Sequence, residues 1–169
     1  VTMGLLSFIK DAGEKLFGGG EAKAAQEAAA RSPTPDNLAR QAEASAAAIV
    51  AHLDKHGLYN GSMQVRYDVA TAAVTVSGQV GSQETREKVL LCCGNVAGVA
   101  SVDDQLEVPA RAEPVARFHT VVSGDNLSRI AKAFYGDANR YPLIFEANKP
   151  MLTHPDKIYP GQVLRIPQA

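Results

Sequence analysis

The chain has 169 residues, 46% of them hydrophobic, and a formal net charge of −1 with acidic and basic residues interspersed. That length accommodates one medium domain or two small ones with packed cores, and the charge lacks the clustered Lys and Arg of a nucleic-acid surface. The two cysteines are adjacent, so no disulfide framework points to an oxidising compartment, and no Trp is present to stack on a sugar or a base.

In chain order, residues 3–17 set Leu5, Phe8, Ile9, Leu16 and Phe17 against Lys10, Asp11, Glu14 and Lys15. This spacing predicts a short amphipathic helix. A helix of that length is marginal alone in water and has to dock on something. Packing on its own domain is favoured over a lipid surface, because the basic residues are too few to hold a membrane. The apolar run Leu5–Ile9 is shorter than the core of a secretory signal and is ended by Lys10 and Asp11. No segment approaches the ~18 apolar residues of a membrane span. The expectation is a cytoplasmic protein without stable membrane insertion. The glycines at 18–20 and the Ala-rich stretch beyond them predict a helical connector stopped by Pro33 and Pro35, which closes a first region at residues 1–35.

Residues 36–108 form the second region. Leu38, Ala42, Ala46, Ile49, Val50 and Leu53 share one helical stripe. Pro35 and Asp36 suit its start and Gly57 its end. Met63, Val65, Tyr67 and Val69 alternate with polar residues as a strand, and Val74 and Val76 mark a second. Ser82 begins a helix that closes near Gly94, and Val102, Leu106 and Val108 mark a third strand. Residues 109–117, with two prolines and no periodicity, read as a linker. In the last region, 118–169, a strand from Phe118 leads through a Gly-Asp turn to a helix with Leu127, Ile130, Ala131 and Phe134 on its apolar face. Asp125 or Asn126 suits its cap. A second short helix tolerates Pro142 in its first turn, and a long loop leads to a closing strand at residues 162–167. The fold class is α+β, with two small domains in the order αββαβ and βααβ after an N-terminal amphipathic helix.

Candidate chemical sites are sparse. His52 and His56 lie one turn apart on a helix face, but HExxH spacing is absent and sequence supplies no third ligand, so a solvated helix end is favoured over zinc. Cys92 and Cys93 read as small buried hydrophobes. Asp103, Asp104 and Glu107 lack the spacing of a calcium loop and read as a solvated strand edge. No nucleophile elbow or phosphate loop is present. The chain therefore reads as a binding protein, not an enzyme.

Two resemblances sharpen this. Thr120-Val121, Ser123-Gly124-Asp125, Leu127, Ile130-Ala131, Phe134-Tyr135-Gly136, Glu146-Ala147-Asn148 and the run from Ile158 to Pro167 resemble a LysM domain. Many LysM domains bind N-acetylglucosamine polymers in a shallow groove. The resemblance puts that groove at Gly124, Asp125, Asn126 and Leu127 on one side and Ile158, Tyr159, Pro160 and Gly161 on the other. Asn126 stands where Thr or Ser is common, and with no Trp to stack on the sugar any glycan binding is expected to be weak. Val74, Val76, Ser77-Gly78 and the run Gly98–Val108 resemble a BON domain. BON domains are commonly tied to membranes or to binding roles.

The combination, with its "MGLLSFIKDAGEKLF" start and "IYPGQVLRIP" end, is similar to the bacterial cytoplasmic BON–LysM potassium-binding family. The resemblance weakens between Gly18 and Pro35. It implies a monomeric sensor that becomes compact on binding K⁺, with the LysM unit as a structural lid. Potassium needs no particular side chain, because backbone carbonyls can replace its water shell. Helix C-termini leave such carbonyls free, and Gly94 and Gly98 punctuate one. The implied carbonyl set is Ile9, Lys10 and Ala12 on one side and Gly94, Val96 and Val99 on the other. Two other readings stand beside it: a peptidoglycan binder acting through the LysM groove, and a phospholipid-contacting adaptor acting through the BON unit and the N-terminal segment.

Overall fold

The computed structural model describes residues 4–109 and 115–168. A strand β1 (Gly4–Ser7) and a short 3-10 turn (Leu16–Gly18) precede helices α1 (Gly20–Arg31) and α2 (Pro35–Lys55). Then come β2 (Gln64–Asp68), β3 (Ala73–Gln79), α3 (Gln83–Gly94) and β4 (Ser101–Glu107). The remainder comprises β5 (Arg117–Thr120), α4 (Leu127–Tyr135), α5 (Tyr141–Ala147) and β6 (Val163–Ile166). The class is α+β, with αββαβ from α2 to β4 and βααβ from β5 to β6.

Local chemistry sets the helix boundaries. Thr34 accepts a hydrogen bond from the Asn37 amide at 3.2 Å, with Pro35 preset for the first turn of α2. Ser82 accepts from Thr85 N–H at 3.1 Å to start α3, and Asn126 accepts from Arg129 N–H at 2.8 Å to start α4. Each such cap is worth about 1 kcal/mol. The left-handed Gly136 ends α4. Ala22, Ala25 and Ala29 are the buried face of α1, which packs along α2; their small side chains let the two helices approach closely. The α2 stripe is buried at Ile49 and Leu53, whereas Leu38 at its other end is exposed.

The four-stranded sheet has the order β1-β4-β3-β2. Strands β2 and β3 pair antiparallel, and β3 and β4 pair parallel across the α3 crossover. Val74, Val76, Val102 and Leu106 alternate inward against Val89, Leu90, Leu91, Cys92 and Cys93 of α3 and Ile49 and Leu53 of α2. Full burial of each such aliphatic side chain stabilises by about 1.5–3 kcal/mol. Both cysteines are buried free thiols. The smaller unit pairs β5 with β6 antiparallel over a core of Val121, Leu127, Ile130, Ala131, Ile144, Leu152, Leu164 and Ile166.

The expected N-terminal amphipathic helix is a strand instead. β1 pairs antiparallel with β4, from Gly4 opposite Asp104 to Ser7 opposite Ser101. An isolated short helix is weak in water, whereas an open strand edge offers a row of unsatisfied backbone groups. Backbone pairing wins, and Leu6 and Phe8, two residues apart, both pack on the core. Docking on its own domain is nonetheless what the segment does.

A second correction follows from the first. With β1 on its outer side, β4 is not a solvated edge. Asp104 is buried, accepting from Arg86 Nε at 2.8 Å and from the Leu106 amide at 3.0 Å. Of the expected linker at 109–117, residues 110–114 lie outside the described residues.

Candidate functional site

Three stretches of backbone converge beside the C-terminus of α3. The first is the segment from Phe8 to Glu14. The second is the helix end and loop from Gly94 to Ala100. Four hydrogen bonds lace them together: Phe8 N–H to Ala100 O (2.8 Å), Gly98 N–H to Lys10 O (2.6 Å), Glu14 N–H to Asn95 O and Ala97 N–H to Glu14 O (both 2.9 Å). The segment that carries Ile9, Lys10 and Ala12 and the one that carries Gly94, Val96 and Val99 thus run side by side.

The third stretch is the loop of the smaller unit at Gly161. A Cβ on Gly161 would lie 2.7 Å from the Ala12 Cβ and 3.4 Å from the Ile9 Cβ. Its φ of +89° is also a conformation that glycine adopts without strain. Gly13, at φ +108°, lies against the Asn95 carbonyl so closely that a Cβ there would overlap it. A Cβ on Gly94 would overlap the outer end of the Phe8 ring, at its Cζ. At each contact the missing side chain is what lets the segments meet.

Several of these carbonyls already have one partner. Lys10 O accepts from Gly98 N–H; Ile9 O accepts from Ala12 N–H at 3.1 Å and Val96 O from Val99 N–H at 3.0 Å. Among the described residues, no backbone hydrogen bond runs to the carbonyls of Ala12, Gly94 or Val99. A carbonyl oxygen has two lone pairs, so each of these groups keeps the capacity to accept a further donor or a cation. Phe8 and Val96 are buried, which limits water on the inner side.

Polar side chains fasten the smaller unit to α3. The Asn95 carboxamide bonds both backbone groups of Val163. The Arg165 Nε donates to the Glu87 Oε1 at 2.9 Å, and both side chains are buried. Glu87 Oε2 also accepts the Ala116 amide at 2.9 Å. Asn148 closes the network within the smaller unit, bonding the backbone of Arg165 through both ends of its amide.

The expected glycan-groove residues divide. Gly124 and Asn126 are exposed, and Asp125 is half-buried. The Asp125 carboxylate accepts from Val122 N–H at 3.0 Å and lies 2.9 Å from His119 Nε2; these bonds, the backbone one first, hold it below the usual carboxylate range. Leu127 belongs to the core. Across the groove, Pro160 is exposed and Ile158 packs on that core. Gly161 is buried beneath the N-terminal segment, with its amide bonded to Val121 O at 2.8 Å. Tyr159 faces a cleft of ≈ 670 Å³ between the units, where burial, and secondarily the Glu14 charge, raises its hydroxyl to about 12.

Sequence reasoning did not find Asn95, Glu87, Arg165 or the role of Gly161. Glu87 alone carried a signal: it interrupts the apolar face of α3 at helical spacing from Leu90, Leu91 and Gly94. The other three depend on partners distant in sequence.

The LysM domain family model matches residues 119–167 and the BON domain family model residues 41–110. The chain is 46% identical over 166 residues to "Potassium binding protein Kbp" of Escherichia coli O6:H1, an alignment covering 98% of this chain and 99% of the relative. It is 35% identical over 105 residues to an uncharacterized protein of Deinococcus radiodurans, covering 56% of this chain and 41% of that one. Among the described residues, no helix is long and apolar enough to cross a membrane.

Proposed function

The chain belongs to the BON–LysM potassium-binding protein family, and we propose that it binds K⁺ through the backbone carbonyls of Ile9, Lys10, Ala12, Gly94, Val96 and Val99. The observation that carries this reading is the convergence of three backbone segments at Gly13, Gly94 and Gly161. A site made of side chains has no need of such approaches; a site made of carbonyls depends on them. Potassium is large and weakly hydrated, so carbonyl oxygens can take the place of its water. The C-terminus of α3 adds partial negative charge.

The proposed response is compaction. In this reading, carbonyl oxygens gathered around the site repel one another without the cation, and the segment from Ile9 to Glu14 is held less firmly. A cation that binds the closed arrangement better selects it. Gly161 rests on Ala12 and Ile9, so ordering that segment firms the seat of the LysM unit. BON and LysM are non-catalytic domain families, and the protein acts in this reading as a monomeric cytoplasmic ion sensor. Burial of Gly161 speaks against an open glycan groove at that end. The packing of Leu6, Phe8, Leu16 and Phe17 on the core takes most of the segment's apolar side chains away from a phospholipid surface and leaves Ile9 exposed.

Calorimetric titration with KCl against NaCl at matched ionic strength tests the proposal. Saturable heat with KCl, absent with NaCl, is expected. Equal responses to the two salts would overturn it.

A further inference from the structure

We propose that His52, His56 and Cys92 form a second metal site, of a kind that takes Zn²⁺ or a similar borderline-soft divalent cation. His52 and His56 lie one turn apart at the C-terminal end of α2, with ring centroids 4.7 Å apart. α3 packs against α2 and supplies Cys92 from its last turn. Ligand atoms of the three side chains all lie within 4.8 Å of one another. Two imidazoles and a thiol form a donor set suited to zinc and poorly suited to potassium, magnesium or calcium.

The surroundings fit a three-ligand site with a fourth position open. All three residues line the ≈ 670 Å³ cleft between the units, together with Glu14, Met151 and Tyr159. Zinc bonded to nitrogen at ~2.0–2.1 Å and to sulfur at ~2.3 Å sets tetrahedral edges of roughly 3.5 Å. Moving from 4.8 Å to that spacing takes small side-chain rotations, which the half-exposed imidazoles on the cleft wall have room to make. Water or the exposed Glu14 carboxylate completes the sphere from the cleft side. The Glu14 charge also offsets Lys55 and Lys157, which line the same cleft. Binding converts the Cys92 thiol to a thiolate and releases one proton to solvent, while the imidazoles bind in their neutral form.

None of these donors is among the proposed potassium carbonyls, so the two readings fail independently. The cleft is walled by both units, so the metal would sit beside the docked LysM loop at Met151–Thr153.

The test is titration of the full-length, reduced protein with Zn²⁺ in NaCl and again in KCl, and with Co²⁺ as a spectroscopic stand-in. The expected result is one equivalent of Zn²⁺, a thiolate-to-cobalt charge-transfer band in the near ultraviolet, and about one proton released per ion. Cys92→Ala is expected to abolish the band. His56→Ala changes a half-exposed side chain and is expected to fold even where the cysteine variant does not. It is expected to weaken binding by more than the ~10–100-fold typical of losing an outer-shell partner. His154→Ala, on an exposed loop residue, is expected to bind like the parent. Absence of stoichiometric zinc binding by the parent would overturn the proposal, as would unchanged affinity in His56→Ala.

Discussion

The Asn95 carboxamide grips the backbone of Val163 on both sides, donating to its carbonyl at 2.8 Å and accepting from its amide at 2.9 Å. The pairing imitates one rung of a β-ladder, with a side chain standing in for a strand. It matters because Asn95 sits between Gly94 and Val96 in the carbonyl-bearing loop, and Val163 begins the last strand of the LysM unit. One residue therefore ties the proposed ion site to the unit proposed to respond.

Asn95→Ala is expected to lower stability by about 1–3 kcal/mol, because both partly buried backbone groups of Val163 lose their partner. Urea denaturation measures it. A change within about 0.5 kcal/mol, the range of an ordinary surface substitution, would mean that the clasp contributes nothing.

The Glu87–Arg165 pair lets interface charge be separated from interface packing. Among the described residues, Arg165→Met leaves the buried carboxylate with the Ala116 amide as its hydrogen-bond partner and is expected to cost about 3–5 kcal/mol. Combining it with Glu87→Leu is expected to recover much of that loss, since no uncompensated charge then remains. A double-mutant cycle by thermal melting gives the coupling. Strictly additive effects would show that the two side chains do not act as a pair.

The uneven legibility of the sequence has a physical cause. Alternation at Val74, Val76, Val102 and Leu106 and the helical stripe of α4 reflect burial on one face, which leaves a periodic mark. Ser82 and Asn126 cap their helices locally, within three residues, so the chain announces them. The segment 4–7 was misread because Leu5, Phe8 and Ile9 fall at helical spacing, while Leu6 and Phe8 alternate as a strand requires. The deciding factor, the unpaired edge of β4, lies nearly a hundred residues away. Asp104 was misread as solvated for the same reason. The carbonyl set was reached only through family resemblance, because backbone oxygens leave no residue signature. Cys92 and Cys93 are packed in the core as read; the nearness of Cys92 to His52 and His56 was not legible, because the imidazoles lie on another helix.

Asp125 makes part of the stability of the smaller unit depend on pH. Its carboxyl is held below 3.8 chiefly by the Val122 amide and then by His119. The unfolded chain binds the proton first as pH falls, so this contribution is present above about pH 4 and is lost on descending through the folded-state value. Asp125→Asn is expected to lower stability at neutral pH by about 1 kcal/mol and to flatten the acid limb of the stability curve. Melts from pH 7 downward check this; parallel curves for the variant and the parent would contradict it.

The potassium reading is most exposed at the glycines. Gly94→Ala places a methyl group where the Phe8 ring now lies, and Gly161→Val sets a branched side chain against Ala12 in a left-handed backbone. Each is expected to push the segment from Phe8 to Gly13 off its seat while sparing the β3–β4 core, since neither residue belongs to that sheet. Asp11→Asn, within that segment, and Lys15→Ala, just beyond it, alter exposed side chains and are expected to preserve the response, because backbone oxygens do the binding. In the parent, KCl at a hundredfold excess over the dissociation constant is expected to stabilise by about 2.7 kcal/mol relative to NaCl. The radius of gyration from small-angle scattering is expected to fall in parallel. Both effects are expected to vanish in the glycine variants, with far-ultraviolet circular dichroism showing that they remain folded. If the glycine variants keep the full potassium response, the convergence of the three backbone segments is packing alone and the ion binds elsewhere. If the parent melts at one temperature and scatters with one radius in both salts, the sensor mechanism is wrong whatever the variants do.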